Sequence, residues 1–203
     1  MESSTLAVRD TAREMSQENA AGRTMTERAA LRWPSMGPRT TQTVLRLPQG
    51  SRMRKAMLRR AARIAFDAWM RGDFELVPYV DDPAVETHIM QESGTPIGFD
   101  TVYYGPEGHC RTMEIWNEGW RNWHGEIEEV IEEGRDRVLI ISRVYAEGSA
   151  SGIKLDEWGA VRYTFREARI LRVDAAFDPD RDRALDALVG NRDDAFEAAG
   201  PRE

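Results

Sequence analysis

The groups in this 203-residue chain that could do chemistry are three histidines, one cysteine and a scatter of carboxylates and tyrosines. His88, His109 and His124 lie far apart, and no CxxC, HxxxH or HExxH run exists. No zinc site of the usual spacing is therefore expected, and no metal is assigned. Cys110 is the only cysteine, so no internal disulfide can form, which fits a reducing, cytoplasmic setting. It neighbours His109, but adjacent helical residues point about 100° apart, so the two do not form a couple. The acid/base candidates are His88 on a short strand, His109 on the apolar side of a helix, and Asp100 in the loop before that helix. Glu86, Glu157 and Asp174 are further acids. Asp174 alternates with the apolar side of its strand and is expected to face away from it.

The elements that must position these groups can be read from periodicity. Residues 1–50 are rich in Ser, Thr, Arg and Gln, with Trp33-Pro34 and Gly37-Pro38 as helix breakers, and are expected to be a disordered extension. A helix is expected over Ser51–Arg71, with Met57, Ala61, Ile64, Ala65 and Ala68 on its apolar side and Arg54, Lys55, Arg59, Arg60 and Arg63 in solvent. Arg71-Gly72-Asp73 spells an adhesion tripeptide, but Gly as C-cap and Asp as the next N-cap explain it. A short helix (Phe74–Tyr79), a strand (Ala84–Met90) and a loop (Gln91–Phe99) follow. Tyr104-Gly105-Pro106-Glu107-Gly108 opens a helix to about Arg121, on which His109, Met113, Trp116 and Trp120 share one face. Beyond Glu126 the pattern is a four-strand antiparallel meander, with Val138–Ala146, Trp158–Arg166 and Ile170–Phe177 as its later strands. A helix over Arg181–Val189, capped by Asp180, closes the domain at about residue 190, and 191–203 is a disordered tail. Helices first and sheet later make the fold class α+β.

Charge narrows the partners. Residues 1–71 carry 14 basic and 6 acidic side chains, and residues 72–203 carry 14 and 29. An acidic main domain repels phosphate backbones, so no nucleic acid is expected. No apolar run approaches the ~18 residues of a membrane span, so no membrane is expected either.

Order and spacing of several short stretches resemble the nuclear transport factor 2-like superfamily, SnoaL-like group, over about residues 52–190. They are Arg71-Gly72-Asp73-Phe74-Glu75, Asp82-Pro83-Ala84-Val85-Glu86, Tyr104-Gly105-Pro106-Glu107-Gly108 with Trp116 and Trp120, Glu132-Glu133-Gly134-Arg135-Asp136-Arg137-Val138-Leu139, Arg143 with Gly148 and Ser151-Gly152, and Ala184-Leu185-Asp186-Ala187-Leu188. The resemblance implies a cone: a curved antiparallel sheet packed on N-terminal helices, with an apolar pocket between them. It also implies frequent homodimers and chemistry without metal or organic cofactor, done by acids, bases and Tyr hydroxyls in the cone. Its members include ketosteroid isomerases, polyketide cyclases and epoxide hydrolases.

Candidate ligand-binding residues are Tyr104, Met113, Trp116, Trp120, Arg143, Tyr145 and Tyr163. The tryptophans fill the core or wall an aromatic pocket. Arg143 has two placements: a two-residue turn at Gly134-Arg135 sets it opposite Glu126, and a three-residue loop sets it opposite Ile127. Three functions are compatible with this chain: an isomerase, cyclase or hydrolase acting on an apolar small molecule, a non-catalytic ligand-binding module, and a dimerisation scaffold with Trp158, Arg162 and Arg166 on its outer sheet face.

Overall fold

The computed structural model describes residues 22–90 and 101–189. The expected tail at 191–203, the 91–99 loop and the first 21 residues of the expected extension lie outside the described residues. In chain order the elements are α1 (Met25–Arg32), α2 (Met36–Arg46), α3 (Arg52–Met70), α4 (Val77–Val80), β1 (Asp81–Met90), β2 (Val102–Tyr104), α5 (Gly105–Gly119), β3 (Trp120–Glu132), β4 (Arg137–Gly148), β5 (Lys154–Arg166), β6 (Arg169–Asp178) and α6 (Arg181–Val189).

One six-stranded sheet runs in the order β2-β1-β6-β5-β4-β3. The expected meander is its larger part, β3 to β6, with every pair antiparallel. β1 joins the edge of β6 in parallel and pairs with β2 antiparallel. Register shifts in β1, in β3 and between β5 and β6 bend the strands. The β5–β6 hairpin turns on Glu167 and Ala168, both in the left-handed region (φ 50° and 66°), the pair of conformations that a tight two-residue hairpin needs.

Strand alternation divides the buried residues between two faces. Val144, Val161, Val173, Ala175 and Phe177 line the inner face with Trp116 of α5. Leu139, Ile141, Ala160 and Ala176 point the other way and are covered by Ala184 and Leu188 of α6. α3 lies across the inner face, where Leu58 and Ala62 meet Val138 and Ile140. It approaches β3 closely because Gly125 has no side chain: a Cβ there would collide with the edge of the Phe66 ring.

Residues 25–46 correct the expectation of an extension without structure. α1 is closed by a capping box in which Thr24 accepts from Glu27 N and Glu27 accepts from Thr24 N. Pro38 sits in the first turn of α2, where its missing N–H costs no helical hydrogen bond, so it starts the helix instead of breaking one. Val44 of α2 is buried with Leu58 and Ala62.

The inner side of α3 is also displaced from the expected one. Arg54, read as a solvated base, is 1% exposed. Its Nε stands 2.8 Å from Glu132 Oε2, and its other nitrogens donate to the carbonyls of Leu45, Leu47 and Arg135. Lys55, Arg59, Arg60 and Arg63 are exposed as expected.

The Arg71-Gly72-Asp73 triplet is a helix stop. Gly72 takes φ 68°, its N–H donates to Trp69 O, and Asp73 N–H donates to Ala68 O. Arg71 pairs with Glu27, and Asp73 receives a two-pronged contact from Arg23 at 2.6 and 2.8 Å. Both charged ends of the triplet are thus engaged by the N-terminal segment.

Candidate active site in the cone

The inner sheet face and the helices bound two adjoining chambers, the larger of them open to solvent beside Thr40, Ala61 and Ala65. The smaller, about 50 Å³, lies among β1, β5, β6 and α5, with Thr87, His109, Thr112, Trp116 and Phe177 in its wall. The larger, about 240 Å³, lies among α2, α3 and the inner sheet face, with Val44, Leu58, Ala61, Ala65 and Phe165 in its wall. Trp69, Met113, Val161 and Tyr163 border both. Among the described residues no Lys, Arg, Asp or Glu lines either chamber.

His109 is the one imidazole in these walls. Pro106 in the first turn of α5 starts the helix so that His109 falls on the side facing β1, where it is buried. Its Nδ1 is 2.8 Å from Oδ2 of Asp81, the first residue of β1, whose side chain is fully buried. Thr112 Oγ1 donates to the His109 carbonyl at 2.7 Å and fixes the turn. Burial raises the Asp81 carboxyl above the usual range, against the opposing effect of the His109 contact. With Nδ1 held by Asp81, Nε2 is the ring nitrogen left for the chamber. The Tyr163 hydroxyl is pushed up to about 12 by burial, with the Asp81 charge adding to it, so it stays a proton donor.

An aromatic cluster forms the partition beside this dyad. Trp116 stacks on Phe177 at 4.9 Å and tilts against Trp69 at 5.8 Å. Trp69 meets Trp123 at 4.9 Å, and Trp123 Nε1 donates to Asn117 Oδ1 at 2.7 Å. Pocket wall and core are therefore one structure, as both readings of the tryptophans require.

No protein-family model matches this sequence, and no curated protein does. Solved structures do match in three dimensions. TerC, co-crystallised with polyporic acid, is 20% identical over 65% of this chain and 97% of that one, with a TM-score of 0.50. A SnoaL-like polyketide cyclase, so described as putative, from Jannaschia sp. CCS1 is 14% identical over 70% of this chain and 94% of that one, with a TM-score of 0.52. An NTF2-like protein of unknown function from Burkholderia pseudomallei K96243 is 17% identical over 59% and 89%, with a TM-score of 0.51. This is the nuclear transport factor 2-like fold.

Within this nuclear transport factor 2-like cone the candidate residues separate by face. His109, Met113, Trp116 and Tyr163 line the chambers. Trp120 packs behind Trp116 at 6.0 Å. Tyr104 is 70% exposed, at the N-cap of α5. His88 points away from the chambers, its Nε2 3.0 Å from Glu86 Oε2. Asp100 lies outside the described residues. Asp174 lies off the chamber walls that its neighbours Val173 and Ala175 line, as expected, and pairs with Arg172 at 2.7 Å.

Arg143 and Tyr145 are not in the chambers. Arg143 does pair with Glu126 in register, but by a different route from the one expected. The hairpin loop holds three residues, because Glu133 N–H donates to Arg137 O, and a register shift between Ile127 and Glu129 then restores the pairing. The Arg143 side chain turns outward, forms an ion pair with Asp156 and lies 5.0 Å from the Trp158 ring. Tyr145, two residues on, stacks on His124 at 5.0 Å.

Of the three residues expected on an outer scaffold face, Trp158 is half-buried with Arg143 5.0 Å from its ring, and the two arginines are engaged within the chain. Arg162 is buried, bonded to Glu133 at 2.6 Å and to the Leu188 carbonyl at 3.0 Å, and Arg166 pairs with Asp82. Cys110 keeps its thiol, pushed up to about 11 by burial with nearby carboxylates adding. Among the described residues no helix is long and apolar enough to cross a membrane.

Sequence reading missed Asp81, Thr87 and Trp69. Trp69 carried a signal, since it continues the Leu58, Ala62 and Phe66 side of α3 at helical spacing. Asp81 carried only its position between the apolar Val77–Val80 turn and a buried strand.

Proposed function

We propose that this protein is a small-molecule enzyme working by acid/base chemistry without a metal or organic cofactor, in the isomerase, cyclase or hydrolase range. The observation that carries the reading is the His109–Asp81 dyad, buried at the end of an otherwise uncharged aromatic cavity.

The dyad moves one proton at Nε2. When Asp81 is ionised and Nδ1 keeps its hydrogen, the Nε2 lone pair faces the chamber as a base. When the pair holds one proton more, Nε2–H faces the chamber as an acid. A proton taken from the carbon beside a substrate carbonyl leaves its electron pair to form C=C, and the carbonyl oxygen takes the charge. The Tyr163 hydroxyl is the donor on hand for that oxygen. Return of the proton to a different carbon completes an isomerisation, and attack of the enolate carbon on a second carbonyl completes a cyclisation. Burial of the dyad keeps competing water away.

The test follows hydrogen exchange in D₂O on 2-acetylphenanthrene, by mass spectrometry of its methyl group. The native protein accelerates exchange, and His109→Ala lowers that acceleration at least 100-fold with the ligand still bound. Binding with no acceleration supports a non-catalytic binding module instead, and acceleration untouched by His109→Ala overturns the dyad as its base and assigns it to another group.

A further inference from the structure

The cavity is unequal in two respects that constrain what enters it. Its groups able to exchange hydrogen bonds with a ligand are concentrated at the smaller chamber: His109, the Thr87 hydroxyl and the Trp116 indole N–H, the last two without a partner among the described residues, with Trp69 and Tyr163 on the wall it shares with the larger chamber. The larger chamber is walled by apolar side chains, with Thr40 and Thr41 of α2 on one side and Ser142 already bonded to the Gly159 carbonyl. No charged side chain among the described residues lines either part. A carboxylate or phosphate entering this cavity would lose its hydration without gaining a cation.

Room in the larger chamber comes from one helix face. Ala61, Ala62 and Ala65 of α3 give the larger chamber short side chains there, Ala62 buried with Val138 and Ile140 and Ala61 and Ala65 exposed at its rim. At roughly 3.6 residues per turn the three fall on one side of α3, beside Leu58 and Phe66. Trp69, Met113 and Tyr163 belong to the walls of both chambers, so the two adjoin there.

We infer that the ligand is an uncharged molecule with an acceptor oxygen at one compact end and an apolar body that passes Met113 into the larger chamber, and that Ala61, Ala62 and Ala65 set the size of that body. This rests on the cavity being the functional site, as proposed above, but needs no turnover. The oxygen lies by His109 and Tyr163, and the apolar body lies between α2, α3 and the sheet.

Four probes test the inference by equilibrium dialysis against the full chain: 2-acetylphenanthrene, phenanthrene, phenanthrene-2-carboxylate and acetophenone. The ketone is expected to bind at least tenfold more tightly than the hydrocarbon of the same body, the carboxylate of the same body and the compact ketone. Ala65→Leu, at a partly open position, is expected to weaken 2-acetylphenanthrene at least tenfold and acetophenone less than twofold. Melting curves establish that the variant is folded, and if it is not, the four affinities of the native chain decide alone. Carboxylate binding as tight as the ketone, or acetophenone as tight as 2-acetylphenanthrene, overturns the inference and leaves the acid/base reading standing. Failure of all four to bind overturns both. Tight binding of 2-acetylphenanthrene with no methyl exchange removes the acid/base reading alone.

Discussion

Asp81 Oδ2 and His109 Nδ1 stand 2.8 Å apart across 28 positions of sequence, one at the start of β1 and the other in the second turn of α5. Neither side chain has appreciable solvent access. The carboxyl holds the ring in place and determines which nitrogen faces the cavity. Asp81→Asn keeps the shape and an acceptor but removes the anion that stabilises a protonated ring. We expect a loss of about 100-fold in kcat with ligand affinity changed less than threefold. Equal losses in kcat and affinity would make Asp81 a packing residue.

The same pair predicts a pH profile. Burial raises the Asp81 carboxyl, so the dyad holds its extra proton to higher pH than an ordinary carboxylate would. The base form appears as that proton leaves. Methyl exchange should therefore fall as pH is lowered, with a midpoint above the usual carboxylate range. Asp81→Asn should displace that midpoint, whereas Glu157→Gln, at a residue that lines neither chamber, should not. An acid limb unmoved by Asp81→Asn would assign the titration to another group.

How much of this was legible in the sequence depended on the range of the interaction. The face of α5 carrying His109, Met113 and Trp116 follows from helical spacing, and the β5–β6 turn follows from strand alternation on either side of it. Both are local. The Asp81–His109 contact is not, because it needs β1 laid against α5, and no spacing rule encodes that. α1 and α2 were hidden for another reason. Their polar compositions are those of an extension, and what holds them is distant in sequence: the ion pairs of Arg23 with Asp73 and Glu27 with Arg71 for α1, and Val44 in the core with Arg54 on the Leu45 and Leu47 carbonyls for α2. Arg143 shows a third limit, since a register shift in β3 reversed the effect of the loop length on its pairing.

Arg54 is the next point of test. Its guanidinium joins α3 to the end of α2 and to the β3–β4 hairpin, with Glu132 as its ion-pair partner. Arg54→Met leaves the Glu132 carboxylate without its cation and removes donors from three carbonyls. We expect a loss of about 3 kcal/mol in unfolding free energy, measured by urea titration. Removing residues 1–50 strips the partners of Asp73 and Arg71 and takes Val44 from the core. That truncation is expected to lower the melting temperature and to lose the larger chamber's ligand. A truncated chain with native affinity for 2-acetylphenanthrene would show that α2 is not part of the binding wall.

Glu157 supplies a stability test with a definite sign. It is buried opposite Val144, and burial pushes its carboxyl up to about 7, with Asp178 adding and Arg143 opposing. A carboxyl whose folded value is raised stabilises the fold fully below its ordinary value near 4.5, and that contribution is lost as pH climbs through about 7. The native protein should thus lose stability between about pH 5 and pH 8, with the steepest part of this contribution near neutrality. Glu157→Gln keeps the shape without the charge. It should be more stable than the native chain at pH 8, by about 1 kcal/mol or more, and should match it closely at pH 5. Urea unfolding at the two pH values makes the comparison, and equal stability of the two proteins at pH 8 would mean that Glu157 is not held protonated in the fold.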